Sequence, residues 1–226
     1  MKKLLIVVFF LSQTITYGQW IEQNSGTTEN LNKVKFVSAD TGYIVGNNGT
    51  MLKTIDGGNT WNPLNIGSYE NLTSVCFLDN EIGFVSGAGF ISKTDDGGIT
   101  WETLNLNITP LSEIYFIDSS IGFIGTANTI YKTIDGGDNW DEVELMNVNE
   151  FNQIYEIEFI TNTTGYALNG IGILKTVDGG QVWTQKIDDS HPDYNGANIL
   201  TSFEIINEDI AHFGSPYYVG LYTTLD

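Results

Sequence analysis

The chain has 226 residues, with 28 acidic side chains against nine basic ones and a formal net charge of −19 at pH 7. All nine basic residues are lysines, so the surface repels nucleic acid and anionic lipid and favours basic partners or divalent cations, or serves solubility alone. A single cysteine, Cys76, excludes an internal disulfide framework.

Residues 1–18 read as a secretory signal peptide. Lys2 and Lys3 give a basic start, Leu4 to Leu11 is apolar, and Thr16 and Gly18 place small residues before a cut ahead of Gln19. The apolar run is too short for a membrane anchor, no cysteine follows it to carry a lipid, and no later stretch is apolar enough to span a bilayer. The expectation is export, to the medium, the periplasm or the cell surface, with no membrane insertion.

From residue 19 onward one unit repeats. Leu31, Val34 and Phe36 alternate as in a strand with one buried face; Ala39 to Gly42 turn into a second strand at Tyr43 to Gly46. Asn47 to Gly49 turn again into a third strand, Thr50 to Thr54, and Asp56-Gly57-Gly58 leads to a fourth beginning at Trp61. The second copy has Leu72, Val75 and Phe77, then Ile82-Gly83-Phe84 and Phe90 to Thr94; Cys76 falls in its first strand and reads as inert. The third has Leu111, Ile114 and Phe116, then Ile121-Gly122-Phe123 and Thr129 to Thr133. The fourth has Ile157 and Phe159, then Thr164-Gly165-Tyr166 and Ile173 to Thr176. A fifth begins at Leu200, Phe203 and Ile205, with Ile210-Ala211-His212 in place of Ile-Gly-aromatic.

The phrase Lys-Thr-x-Asp-Gly-Gly-x-x-Trp closes the third strand of four copies, and its aspartates, Asp56, Asp96, Asp135 and Asp178, lie 40, 39 and 43 residues apart. A period near 40 with four short strands per copy is the signature of a β-propeller blade. The fold class expected is therefore all-β: a propeller domain over 19–226, with four-stranded antiparallel blades near 31–64, 72–104, 111–145, 154–187 and 200–226. Trp20, 41 residues before Trp61, reads as an orphan fourth strand. Either it completes the fifth blade and closes a ring of five, or the five blades are part of a larger ring. The last residues align with the start of a box, which favours the larger ring.

The box has a structural logic. Its Asp accepts backbone N–H bonds within a tight turn, Gly supplies positive φ, and Trp buries a ring against a neighbouring strand. Asp56, Gly58 and Trp61, then Asp96, Gly98 and Trp101, then Asp135, Gly137 and Trp140, then Asp178, Gly180 and Trp183 are thus assigned to the fold. Each aspartate is expected to bond its own turn, and each of these tryptophans to lie largely buried between blades. The spacing is not that of an EF-hand, so no metal is assigned to the boxes, and no cofactor is expected.

These residues resemble the Asp-box, or BNR, repeat, with Asn139 and Val182 departing from its Thr. The wider pattern resembles the photosystem II stability/assembly factor-like repeat family, which includes many exported bacterial proteins, over residues 20 to 226. Photosynthetic members of that family carry an arginine-rich face for their partner, and this chain has no arginine to place there. Asp-boxes also mark sialidases, which grip a substrate carboxylate with three arginines; the lack of arginine excludes that activity. Xyloglucan-hydrolase-like Asp-box propellers use a carboxylate pair across a groove, which makes glycoside hydrolysis the alternative reading. His191 and His212 neighbour no nucleophile motif, so no catalytic residue is assigned.

What remains is the loops. From each Trp to the next blade's first apolar residue the spacing is 10 or 11, except 14 from Trp140 to Ile154 and 17 from Trp183 to Leu200. Long loops on a rigid scaffold tend to carry function. Asp188, Asp189, His191, Asp193 and Tyr194 in the longest are the candidate binding residues, for a protein or glycan partner.

Overall fold

A computed structural model describes residues 22–87, 89–104, 106, 108, 111–148, 153–170, 172–187, 202–207, 210–215 and 218–223, the last three stretches as backbone. The expected signal peptide and Trp20 lie outside the described residues, as do Asp188, Asp189, His191, Asp193 and Tyr194.

Every described element is a strand. The first sheet orders β1 (Leu31–Phe36), β2 (Gly42–Gly46), β3 (Met51–Thr54) and β4 (Asn62–Pro63) as a four-stranded meander. The second repeats it with β5 (Leu72–Phe77), β6 (Gly83–Gly87), β7 (Phe90–Thr94) and β8 (Glu102–Leu104). The third has β9 (Leu111–Phe116), β10 (Gly122–Thr126), β11 (Ile130–Thr133) and β12 (Asp141–Glu142). Next come β13 (Glu144–Met146), β14 (Glu156–Phe159), β15 (Gly165–Leu168), β16 (Ile173–Thr176) and β17 (Val182–Ile187). These form one five-stranded sheet in the order β13-β17-β16-β15-β14. The last sheet is β18 (Ser202–Asn207), β19 (Ile210–Ser215) and β20 (Tyr218–Thr223). The meanders stand side by side with their first strands inward, a partial β-propeller.

The second strand of each of the first four meanders, β2, β6, β10 and β15, is buried along its whole length. In β6 and β10, which have a blade on either side, the residues are accordingly mostly apolar rather than alternating. Apolar clusters fill the three seams: Tyr43, Val45 and Phe77 between the first two blades, Phe84, Ile91 and Phe116 between the second and third, and Phe123, Ile157 and Trp183 between the third and fourth.

The glycine of the Ile/Thr-Gly-aromatic pattern has a cross-strand cause. Gly42, Gly83, Gly122 and Gly165 pair with Phe36, Phe77, Phe116 and Phe159. In each the phenyl ring lies over the glycine, where a Cβ would stand 2.3–2.8 Å from it. In the fifth sheet the same register pairs Ala211 with Ile205, so a smaller partner on one strand goes with a larger one on the other. Gly83→Ala will therefore destabilise by about 1–3 kcal/mol through overpacking against Phe77. Gly42→Ala will cost less, because Phe36 has open space to move into; urea denaturation of the two variants checks the order.

Two expectations change. Leu31, Val34 and Phe36 were expected to bury one face, yet they are 42%, 54% and 42% exposed. Their counterparts in later blades are covered by the preceding blade, and among the described residues no such blade covers β1. Of the box tryptophans only Trp183 is fully buried, while Trp61, Trp101 and Trp140 are half-buried. The reason is β13, which comes from the long connection after Trp140, pairs in parallel with β17 and sets Leu145 beside Trp183. Val143, Leu145 and Val148 pack on that cluster.

Candidate functional site

Each box is a closed hydrogen-bonded turn. In the first, the Thr54 hydroxyl donates to Asp56 Oδ1 at 2.8 Å and accepts the buried N–H of Gly58 at 2.9 Å. Asp56 accepts the Thr60 N–H at 2.9 Å and the Thr60 hydroxyl at 2.7 Å. Thr94, Asp96 and Thr100 repeat the arrangement. In the third, the Asn139 side-chain amide replaces the threonine hydroxyl on Asp135 at 2.8 Å. In the fourth, Val182 offers only its N–H to Asp178, at 3.1 Å. The two glycines have φ of 71° and 90° in the first box and 73° and 90° in the second, a backbone that favours glycine over residues with a Cβ.

Every box aspartate bonds its own turn, as expected. Hydrogen bonds from Thr100, side chain then backbone, hold the Asp96 carboxyl down at about 2, and those from Asn139 do the same for Asp135. At Asp178 burial pushes upward, but bonds from Val182, Thr176 and Gln181 outweigh it and the carboxyl stays below its ordinary value. A carboxyl whose folded pKa is depressed contributes stability above its unfolded pKa and loses it as pH falls through the folded one. The boxes will thus lose stability progressively between pH about 4 and 2, measurable as a falling Tm.

The threonine matters more than the aspartate to the buried part of the turn, which sequence reasoning missed. Asp96 bonds donors that water can reach, whereas Thr94 satisfies the buried Gly98 amide at 2.9 Å. Thr94→Val, leaving that amide orphaned, will cost about 1–3 kcal/mol. Asp96→Ala will lower Tm by less, and thermal unfolding of the two variants ranks them.

The repeated lysine was also left without a role. Lys53, Lys93 and Lys132 each donate to a box carbonyl of the following blade: Gly97 at 2.9 Å, Gly136 at 3.4 Å and Gly179 at 2.7 Å. Each also lies over the aromatic ring of its own second strand, 5.2, 5.6 and 5.9 Å from the centroids of Tyr43, Phe84 and Phe123. The signal was present: four of nine lysines stand at one repeat position of a chain poor in basic residues. The boxes and their lysines therefore join blades.

The inner strands enclose a polar cavity of about 280 Å³. Glu113, 4% exposed, projects into it from the third blade. Lys33 of the first blade reaches it, with Nζ 2.5 and 2.7 Å from its two carboxylate oxygens, and the Ser74 hydroxyl of the second donates at 3.1 Å. Burial still pushes the Glu113 carboxyl up, against the pull of Lys33. Glu156, Glu158, Lys35 and Tyr115 complete the wall. Cys76, also on the wall, is a free, buried thiol whose pKa burial raises, which suits an inert side chain. Among the described residues no three His, Cys, Asp or Glu side chains cluster as a metal site, and no helix is long and apolar enough to cross a membrane.

The fold has many relatives. A solved structure of YCF48 bound to D1 peptide is 18% identical, with a TM-score of 0.53, covering 93% of this chain and 96% of that one. YCF48 from Cyanidioschyzon merolae is 19% identical at a TM-score of 0.61, over 88% of this chain and 72% of that one. A GH74 enzyme from Niastella koreensis is 19% identical at 0.66, over 81% of this chain but only 33% of the enzyme. No curated protein is significantly similar in sequence. The family model of the photosynthesis system II assembly factor YCF48 matches residues 12–111 and 103–192. With most of its length matched, and with the box geometry above, the chain belongs to that family of BNR-repeat propellers.

Proposed function

We propose that this propeller is an exported interaction module that holds a segment of another protein. The observation that supports the reading is the family relative captured with a peptide, a propeller matched over 96% of its length. The binding surface in this reading is the longest rim connection, with Asp188, Asp189, His191, Asp193 and Tyr194. The other long connection is partly used up by β13. With a net charge of −19 and no arginine, the complementary segment is basic rather than acidic.

The test is binding of the purified chain to arrays of basic, neutral and acidic peptides, with a glycan array in parallel. Replacing 188–194 by a Gly-Ser loop should weaken the best basic peptide at least tenfold while Tm stays unchanged. Equal binding by the variant, or selection of glycans alone, overturns the reading.

Glycoside hydrolysis is the second reading, supported by the GH74 neighbours of the fold. It needs one carboxylate as acid and another as base. The buried carboxylate of the central cavity, Glu113, is already engaged by Lys33 and Ser74. Release of reducing sugar from a polysaccharide panel would favour this reading over binding.

A further inference from the structure

The charges of the polar cavity between the inner strands are sorted by blade, which the fold alone does not require. Successive residues of a strand face opposite ways. Val75, Ile114 and Ile157 turn into the apolar seams, and the residues on either side of each turn toward the cavity. Both cations of the wall, Lys33 and Lys35, come from β1. Its three carboxylates, Glu113, Glu156 and Glu158, come from β9 and β14. β5, which lies between, contributes no charge. One side of the cavity is thus positive and the other negative.

Two levels can be told apart along these strands. At the first, Lys33 crosses to Glu113 and Ser74 adds its hydroxyl, so those charges neutralise one another and form a floor. At the second, two residues later in each strand, stand Lys35, Tyr115 and Glu158. Lys35 and Glu158 are exposed, which makes this level the mouth. They belong to the first and fourth blades, and among the described residues no ion pair joins them. The Tyr115 hydroxyl accepts the Phe159 N–H at 3.3 Å, which fixes the phenol on the wall and leaves its own proton to donate. Burial raises the Tyr115 pKa, so that proton is retained at neutral pH.

We propose that the mouth of this cavity binds a small zwitterion of the α-amino-acid class. Its carboxylate lies against Lys35 and the Tyr115 hydroxyl, its ammonium against Glu158, and the Lys33–Glu113 pair closes the space beneath. Opposite charges on opposite walls orient a dipolar ligand and disfavour a simple cation or anion, which would meet one wall of its own sign. The cavity volume, about 280 Å³, falls just below the roughly 300–1,000 Å³ usual for small-molecule pockets, so the ligand is compact. None of the wall residues comes from 188–194, so this site is independent of the peptide reading.

The test is thermal-shift and calorimetric titration of the full chain with the standard L-amino acids. Each is compared with its methyl ester, which keeps only the ammonium, and its N-acetyl form, which keeps only the carboxylate. At least one free amino acid should raise Tm with concentration, and both of its derivatives should bind at least tenfold more weakly. Lys35→Met and Glu158→Gln should each weaken that amino acid at least tenfold, while Lys35→Arg, which keeps the cation, should retain it. Both side chains are exposed, so the unligated variants should melt near wild type. Glu142→Gln, which removes an exposed carboxylate outside the cavity, should leave binding unchanged. Replacing 188–194 by a Gly-Ser loop should likewise leave it intact, whatever happens to peptide binding. The proposal is overturned if no amino acid binds, if either derivative binds as well as the free form, or if binding survives Lys35→Met and Glu158→Gln.

Discussion

Phe77→Ala will cost about 3–5 kcal/mol, the usual cost of emptying a buried phenylalanine site. Phe77 is 4% exposed, stacks on Tyr43 at 3.5 Å and meets Trp101 edge-on at 6.1 Å, so its removal opens a void shared by two blades. Aromatic pairs of this kind add about 0.5–1.5 kcal/mol beyond the area they bury. In a domain of this size each kcal/mol lowers Tm by roughly 2–4 °C, so the shift should be on the order of 10 °C. Phe36→Ala is the matched control, since Phe36 holds the same repeat position at 42% exposure. Urea unfolding should show it costing less than half as much. A Phe36 cost equal to that of Phe77 would mean that the first blade's face is covered in solution.

Lys33→Ala is the second large effect, about 3 kcal/mol, at the low end for breaking a buried ion pair because the Lys33 side chain is 28% exposed. The loss comes from Glu113, whose side chain is 5% exposed and would be left with Ser74 alone. Burial already raises its carboxyl pKa, and without Lys33 it rises further. A carboxyl whose folded pKa lies above its unfolded one penalises the folded state at pH above both values, and the penalty fades as pH falls from the folded value to the unfolded one. Lys33→Ala should therefore recover stability relative to wild type between pH 7 and about 4. The double change Lys33→Met with Glu113→Gln should restore most of the loss at pH 7, since removing both partners leaves no orphan charge. A Lys33→Ala penalty that is flat with pH would rule out Glu113 as its source.

The parts of this molecule that could be read from sequence are those whose causes lie within a few consecutive residues. The turn at Asp56-Gly57-Gly58 needs its glycines for backbone reasons that any nine-residue window contains, and repetition at Asp96, Asp135 and Asp178 multiplies the signal. The strands of the repeated unit followed from the same period. What escaped depends on contacts that form only across strands and blades. Lys53 acts on Gly97 and Gly83 exists for the ring of Phe77, but only the folded sheet shows either partner. The half-burial of Trp61, Trp101 and Trp140 against the full burial of Trp183 escaped for the same reason. Of the two long connections, the one after Trp140 turned out to supply a strand. Loop length alone cannot separate a strand in the making from a binding loop, because both begin as extra polar residues between two blades.

That borrowed strand bears on how the chain comes apart. In stacked repeats each unit leans only on its neighbours, so opening can start at any joint and spread from it. β13 grows out of the third blade and is hydrogen-bonded along the outer edge of the fourth, with Val143 still tied to Ile130 and Glu144 already tied to Gln181. To pull these two blades apart, a backbone ladder must be broken as well as a packed seam. The third and fourth blades should consequently exchange their amide hydrogens as one cooperative unit, with the second blade opening independently of them. In a molecule built from near-identical pieces, a three-residue strand laid in parallel marks where two of them have become one.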